Sequence, residues 1–478
     1  MDFPRILIAA LRGGSGKTLL SIGIIAAWKA LGKNVTPFKK GPDYIDAGWL
    51  TLAAGRPCHN LDTFLIETKH VLQSFLFHSN QGDIAVVEGN RGLYDGFDIK
   101  GSTSTAELAK LLHAPVVLCI DCTKSTRTMA AAVLGCMQFD PGVDIKGVIL
   151  NRVAGPRHEQ ILRKSIEHHC NIPVLGAVPK LGKQNFPERH MGLIPTPEHA
   201  WAQESIVAAT QIATNYLDLV ALERIACLAP KNFVSGSCPQ PTGISSPLQP
   251  APPLRSDQDK APRIGIIKDS AFQFYYPENI EALVSAGAEP VFISPLTSDT
   301  IPPVDALYIG GGFPETHAQQ LSANVKFREQ LKFLAQDGLP IYAECGGLMY
   351  LGEELVLDER SYPMAGVLPA AFGFSKKPQG HGYTIMVVKE KNPYFEVGAE
   401  LRGHEFHYSR VLKWRGAAKD LVFDMQRGTG FIDNKDGVCY KNVLATYTHL
   451  HALGSPSWAE AMLRNAMAYK NKIAGTIL

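Results

Sequence analysis

A tandem of two α/β domains, the first a doubly wound parallel sheet around a phosphate-binding loop, is the fold class that this 478-residue sequence predicts. Three observations predict it. Short runs of Val, Ile and Leu alternate with longer helical patterns through the first half, as expected of parallel strands buried on both faces beneath crossover helices. A stretch rich in Pro, Ser, Gln and Gly, from Ala229 to Pro262, interrupts that texture and favours extended backbone over a core. A second series of strands and helices begins directly after it, at Arg263. The expected organisation is therefore a domain over 1–228, a linker over 229–262 and a domain over 263–478, within the two to four domains that this length allows.

The elements follow in order. The first strand, Ile6 to Leu11, runs straight into a glycine-rich turn without the small-residue cleavage site of a leader peptide. A helix near Lys17 to Leu31 and a strand near Asn34 to Phe38 come next. Further strands are expected at Asp83 to Glu88, Pro115 to Asp121, Lys146 to Asn151 and Pro173 to Pro179. Helices are expected between them near Thr103 to Leu112, Thr126 to Phe139 and Arg157 to Cys170. After the linker the strands are Arg263 to Lys268, Pro290 to Ser294, Ala306 to Gly310 and Pro340 to Glu344, with a helix from about Pro277 to Ala286.

Composition narrows the function classes. A net charge of +2 argues against a dedicated polyanion binder, so no nucleic acid is expected. No run of about 18 apolar residues marks a membrane span. The nine cysteines are odd in number and scattered, which suits a reduced, cytoplasmic protein better than a disulfide framework. Cys119 and Cys122 form a CxxC, but they fall in and beside an apolar run with no second pair, and read as part of a buried strand rather than a zinc or redox site.

Two chemistries are written in the motifs. In Arg12-Gly13-Gly14-Ser15-Gly16-Lys17-Thr18 the glycines let backbone amides approach phosphate oxygens, Lys17 adds a cation, and Thr18 offers a hydroxyl to Mg2+ at a helix start. Leu11 stands where the simple P-loop has Gly, so this is a variant loop, similar to those of dethiobiotin synthetase and the chromosome-partitioning ATPases. Glu88 ends a strand beside the loop, placed either to hold Mg2+ or to cap the next turn. Asn151 also ends a strand, where it either reads an adenine edge or serves a turn. The segment Lys39-Lys40-Gly41-Pro42-Asp43-Tyr44-Ile45-Asp46 offers cations for phosphoryl transfer and carboxylates for metal or amine; as composition alone it is a turn with a helix cap at Asp46. The ATP-binding set is Gly13, Gly14, Ser15, Gly16, Lys17, Thr18, Lys39 and Asn151, and the metal set is Thr18, Asp43 and Glu88.

The second chemistry is a thiol. Cys345 follows a strand and precedes Gly346-Gly347, the pattern of a strained elbow that presents a nucleophile at a helix start, where its pKa is expected to fall. The alternative is a buried structural cysteine. His449 ends another strand-like run and is the leading base; Gly310, Gly311, Gly312 and Gly346 are the set that would line the oxyanion pocket.

Together these motifs resemble the cobyrinic acid a,c-diamide synthase family, two-domain glutamine amidotransferases of corrin biosynthesis. The resemblance spans nearly the whole chain. It rests on the phosphate loop, Gly41 to Asp46, Val87-Glu88-Gly89 with Gly92 to Gly96, Lys268-Asp269 with Ala271-Phe272 and Phe274 to Asn279, Gly310 to Glu315, Glu344 to Gly347, Gly403 to Ser409, and Thr446 to His451. It implies a dethiobiotin synthetase-like first domain and a class I glutamine amidotransferase-like second. It also implies that Cys345 attacks glutamine with help from His449, and that the ammonia travels internally to the first domain. There ATP and Mg2+ would turn the a and c acetates of the macrocycle into acyl phosphates, a glutamine-hydrolysing carbon–nitrogen ligase reaction. Asp43, Tyr44 and Asp46 match the family segment for substrate and intermediate. The partners implied are cobyrinate or a related tetrapyrrole, ATP and L-glutamine, with the chain a monomer or homodimer. His404 and His407 are expected to build the glutaminase core or interface.

Two departures stand out: Leu11-Arg12-Gly13 where many members have Pro and Ser nearby, and His451 where the usual class I triad has Glu two residues after the His. A Cys/His dyad is therefore expected. The alternatives are the same chemistry on Ni-sirohydrochlorin or hydrogenobyrinate, and, in another class, a partitioning-type ATPase switch with a regulatory second domain.

Overall fold

The computed structural model describes residues 3–181, 188–189, 192–193, 195–196, 201–230, 246–248 and 261–477; most of the expected linker, 231–245 and 249–260, lies outside the described residues. The chain divides into two compact units, Met1–Pro247 and Leu248–Leu478. Among the described residues no helix is long and apolar enough to cross a membrane.

The first unit runs β1 (Arg5–Ala10), α1 (Lys17–Ala30), β2 (Val35–Lys40), α2 (Tyr44–Ala54), β3 (His59–Leu61), α3 (Thr68–Ser79), β4 (Ile84–Glu88), α4 (Thr105–Leu111), β5 (Val116–Asp121), α5 (Thr128–Phe139), β6 (Ile145–Val153), α6 (Pro156–Cys170) and β7 (Val174–Pro179). Two-residue strands β8 (Glu188–Arg189) and β9 (Gly192–Leu193), then α7 (Ala202–Tyr216) and α8 (Leu219–Cys227), complete it. Its seven-stranded sheet has the order β3-β2-β4-β1-β5-β6-β7 with every pair parallel. All six residues of β1 are buried, because helices cover both faces of the sheet centre. The carboxyl ends of β1, β2 and β4 lie side by side, which is where open α/β sheets bind ligands.

The second unit runs β10 (Arg263–Ile267), α9 (Pro277–Ser285), β11 (Glu289–Ile293), β12 (Ala306–Ile309), α10 (Ala318–Ala323), α11 (Val325–Asp337), β13 (Ile341–Glu344) and α12 (Gly346–Leu351). It continues through β14 (Glu354–Leu357), β15 (Arg360–Pro363), β16 (Ala370–Phe374), β17 (Gly380–Val388), β18 (Glu400–His407), β19 (Ser409–Trp414), β20 (Leu421–Arg427), β21 (Lys435–Tyr440), β22 (Val443–Thr446), β23 (His449–Leu450) and α13 (Ser457–Ile477). Its main sheet has the order β11-β10-β12-β13-β22-β21-β20-β17-β18-β23. The first five of these strands are parallel and the rest pair antiparallel. β23 lies just past Tyr447 and Thr448 from the end of β22 and pairs with β18 at the far edge of the antiparallel half. A smaller sheet, β15-β14-β16-β19, stands beside it.

The strands and helices expected from sequence occur within two residues of their expected bounds. The cap of α2 differs: Asp43, not Asp46, is the N-cap, its Oδ1 accepting from the Asp46 amide at 2.9 Å. Cys119 is in β5 and Cys122 just past it, both buried and both pushed up to about 12 by burial, as a structural strand requires.

Candidate active sites

At the end of β1 the phosphate loop turns through Gly16, whose φ of 92° starts α1 in a conformation that a side chain resists. The loop is braced from below. The Asn151 amide and the Cys119 thiol both donate to the Ser15 carbonyl, at 2.8 and 3.2 Å, and a Cβ on Gly16 would lie 2.3 Å from Asn151 Nδ2. Asn151 also accepts from the Arg152 amide, so in this state its amide serves the loop. Lys17 Nζ donates to the Arg91 carbonyl at 2.8 Å. Burial, then the Lys39 charge, lowers its pKa. Arg12 is largely exposed and turned onto Asp121, which it shares with Arg152.

Beside the loop lies an ionic cluster. Lys39 Nζ donates to Asp46 Oδ2 at 2.7 Å and to Glu88 Oε1 at 2.9 Å, and the Thr18 hydroxyl donates to Glu88 Oε1 at 2.7 Å and to Asp46 Oδ2 at 3.3 Å. Burial disfavours every charge here, yet Asp46 and Glu88 outweigh it at Lys39 and raise that ammonium's pKa. Burial is likewise outweighed at Asp46, where Lys39 and Lys17 keep the carboxyl below its ordinary value; at Glu88 burial wins and the pKa rises. Asp43 is pushed up to about 7 by burial and the Asp46 charge.

Asp46 and Glu88 share the Lys39 ammonium and the Thr18 hydroxyl between them, and Glu88 Oε2 is buried with no hydrogen-bond partner among the described residues. A hard oxygen set with a spare buried acceptor fits Mg2+. Of the expected set of Thr18, Asp43 and Glu88, Asp43 caps α2 through Oδ1, and Asp46 is the carboxylate that meets Lys39 and Thr18. Tyr44 opens α2 beside them. Asn60 fixes the whole segment, donating to the Gly41 and Asp43 carbonyls at 2.7 and 3.0 Å.

In the second unit Cys345 sits between β13 and α12 at φ 46° and ψ −98°. The observed elbow stores strain of about 1–3 kcal/mol, tolerated where surrounding structure fixes it. Here the Cys345 amide donates to the Thr446 carbonyl at 2.7 Å and the Gly347 amide to the Gly310 carbonyl at 3.1 Å. The helix start does not lower this thiol. Burial, joined by the charges of Glu315 and Glu344, pushes it well above its usual value, so its proton needs a base.

The triple glycine is packed from all sides. A Cβ on Gly312, at φ 155°, would lie 2.1 Å from the Ala271 carbonyl oxygen, and one on Gly311 would lie 2.4 Å from His449 Cε1 and 3.2 Å from its Nε2. The imidazole edge of His449 thus rests on this segment, and Gly346 lies against the Gly312 amide. One expected donor drops out: the Gly310 amide donates to Tyr275 Oη at 2.7 Å, which leaves Gly311, Gly312 and Gly346 for an oxyanion.

His449 is presented by a pinned turn. Buried Asp436 accepts from the Thr446 hydroxyl and from the Tyr447 and Thr448 amides at 2.7–3.1 Å. His449 Nδ1 lies 3.3 Å from Glu344 Oε2, and its ring stacks on His404 at 5.0 Å between centroids. Burial and the two neighbouring histidines hold His404 well below the ordinary imidazole value. His407 stacks on Tyr447 at 3.8 Å, so both histidines belong to the walls. Sequence reading passed over Asp436 and Glu344. Glu344 had a signal, since it stands inside the Glu-Cys-Gly-Gly motif.

Two known families match the two units. The CobQ/CobB/MinD/ParA nucleotide binding domain matches residues 6–193, and the CobB/CobQ-like glutamine amidotransferase domain matches residues 263–457. Among curated proteins, the cobyrinate a,c-diamide synthase of Magnetococcus marinus is 42% identical, over 96% of this chain and 97% of its own length. Those of Archaeoglobus fulgidus and Dehalococcoides mccartyi strain CBDB1 are 38% and 39% identical, over 98% and 97% of this chain and 99% and 98% of their own lengths.

Proposed function

The chain belongs to the cobyrinate a,c-diamide synthase family, and from that premise we propose that it amidates the a and c acetates of cob(II)yrinate in cobalamin biosynthesis, using ATP and glutamine. A carboxylate is a poor electrophile because oxide is a poor leaving group. Transfer of the ATP γ-phosphoryl to each acetate gives an acyl phosphate and ADP; ammonia then attacks the carbonyl and phosphate departs, leaving the amide. Gly13 to Thr18 cradle the nucleotide phosphates, with Lys17 and Lys39 supplying positive charge as phosphoryl transfer proceeds. Thr18, Asp46 and Glu88 would hold Mg2+, which when bound neutralises phosphate charge. Asp43 and Tyr44, at the start of α2 beside that cluster, would serve the substrate and its acyl phosphate, and Asn151 acts by holding the loop.

Ammonia comes from glutamine. The Cys345 sulfur attacks the side-chain amide carbon as His449 takes the thiol proton, and His449 returns that proton to the departing nitrogen. Water then hydrolyses the thioester to glutamate. The observation that carries this reading is the strained elbow at Cys345, set against Gly311, Gly312 and the edge of His449. A partitioning-type ATPase switch leaves all of it without a use.

The test is product mass spectrometry after incubation of the enzyme with MgATP, glutamine and, separately, cobyrinate, hydrogenobyrinate or Ni-sirohydrochlorin. Two successive amidations, fastest on cobyrinate, are expected; cobyrinate proving the poorest substrate would reassign the macrocycle, and no amidation of any would remove the reading.

A further inference from the structure

The dyad expected from sequence lacks the acid that class I glutaminases place two residues after the histidine, where this chain has His451. The structure supplies an acid from a different place. Glu344, the residue before the nucleophile, turns away from the elbow toward the β22–β23 turn and puts Oε2 3.3 Å from His449 Nδ1. Both side chains are buried. Glu344 is itself held: Oε1 accepts from the Leu450 amide at 3.1 Å, and Oε2 accepts from the Tyr308 hydroxyl at 3.3 Å.

Tyr308 is fixed in turn by Asn279, whose Nδ2 donates to Tyr308 Oη at 3.1 Å and to the Leu450 carbonyl at 2.9 Å, while its Oδ1 accepts from the Ala452 amide at 2.7 Å. The Phe274 to Asn279 motif thereby acquires a use. Tyr275 occupies the Gly310 amide, Tyr276 Oη lies 3.2 Å from His404 Nδ1 behind the base, and Asn279 locks Tyr308 and the strand carrying His449. The other acid nearby, Glu278, faces His451 at 3.6 Å and not the base.

We propose that Glu344 is the positioning residue of the thiol site: it accepts Nδ1–H of His449, which selects the tautomer whose Nε2 lone pair receives the Cys345 proton and steadies the imidazolium formed on transfer. The physical need is plain. Burial disfavours the Cys345 thiolate, so its proton passes to His449 as the carbon–sulfur bond forms, and a ring with Nε2–H instead of Nδ1–H has no lone pair to offer there. Glu344 takes no proton; it remains the acceptor of Nδ1–H while the proton on Nε2 passes to the leaving nitrogen. A 3.3 Å contact is long for a hydrogen bond, and such bonds commonly tighten when substrate fills the site.

This inference rests on the glutaminase reading, and the experiment separates the two. Glutamate release by the wild-type chain is measured first, with MgATP and cobyrinate present; no release would remove the reading itself. Given release, Glu344→Gln should lower kcat for glutamine by about 100-fold, keep KM within a few-fold, and leave ammonia-dependent synthesis unchanged. Glu344→Asp should recover part of kcat. Wild-type kcat in Glu344→Gln, or kcat and KM impaired together and equally in both variants, would overturn the proposal. Should Glu344→Gln fail to fold, Glu344→Asp decides alone: a kcat loss at constant KM supports the role, and wild-type kcat or a parallel loss of affinity refutes it.

Discussion

An ammonium buried between two carboxylates is tolerated only when each charge has its partners, and Lys39 meets that condition with Asp46, Glu88 and the Thr18 hydroxyl bridging the two acids. Removing the lysine leaves buried Glu88 and half-buried Asp46 facing each other across an empty space. For Lys39→Met the expected stability loss in the first unit is about 3–5 kcal/mol, the usual cost of breaking a buried pair from one side. The same change frees the Asp46 and Glu88 oxygens beside the Thr18 hydroxyl, a set that suits Mg2+, so millimolar Mg2+ without nucleotide should raise the unfolding midpoint more in the variant than in the wild type. Denaturant titrations with and without Mg2+ check this. Equal metal effects in the two proteins would mean that Thr18, Asp46 and Glu88 do not form one cation cradle. Amidation with ammonia should be lost in the variant regardless, because Lys39 also supplies charge to the transferring phosphoryl group.

At the scale of elements, the segment after β12 shows how backbone shape limits sequence. Gly312 sits at φ 155° with the Ala271 carbonyl where a Cβ would go, so Gly312→Ala cannot be absorbed by a rotamer change and must move the loop. The expected cost is about 2 kcal/mol in the second unit, with glutamine hydrolysis falling at least tenfold as the loop leaves Gly346 and His449. Urea unfolding and glutamate release test it, and a variant with wild-type values for both would show that the segment yields freely. The same elements show what could be read beforehand. Strands such as β1 and β5 were legible because burial on both faces demands a continuous apolar run, and the phosphate loop and the Cys345 elbow were legible because each is a contiguous motif. The antiparallel half of the second sheet was not, since strands such as β17 and β20 join an apolar stretch to a polar or glycine-rich one without a regular alternation and owe their pairing to distant partners. Glu344 reaches His449 across 105 residues of chain and Asp436 pins a turn on the following strand, relations that no local spacing encodes. That Asp46 is the carboxylate meeting Lys39 and Thr18 was hidden for the same reason: only the folded α2 cap shows that Asp43 Oδ1 is already engaged.

At the scale of the whole molecule, every residue assigned to phosphoryl transfer lies in the first unit and every residue assigned to glutamine lies in the second. The two half-reactions should therefore fail separately. Cys345→Ser should lose glutamine-dependent synthesis and keep the ammonia-dependent reaction, whereas Lys17→Ala should lose amidation from either nitrogen source while still releasing glutamate. A mixture of the two variants given glutamine, MgATP and cobyrinate then has all the parts but on different molecules, and its only nitrogen supply is ammonia that has entered solution. Much of that ammonia is protonated at neutral pH and so not nucleophilic. The mixture should make diamide slowly, after a lag, and an enzymatic ammonia scavenger should abolish it. Diamide formed by Cys345→Ser alone from glutamine would break the assignment of the thiol. A Lys17→Ala chain that no longer releases glutamate, though folded, would show instead that the second unit turns over only when the first holds nucleotide productively, and the division of labour would then be one of chemistry but not of control.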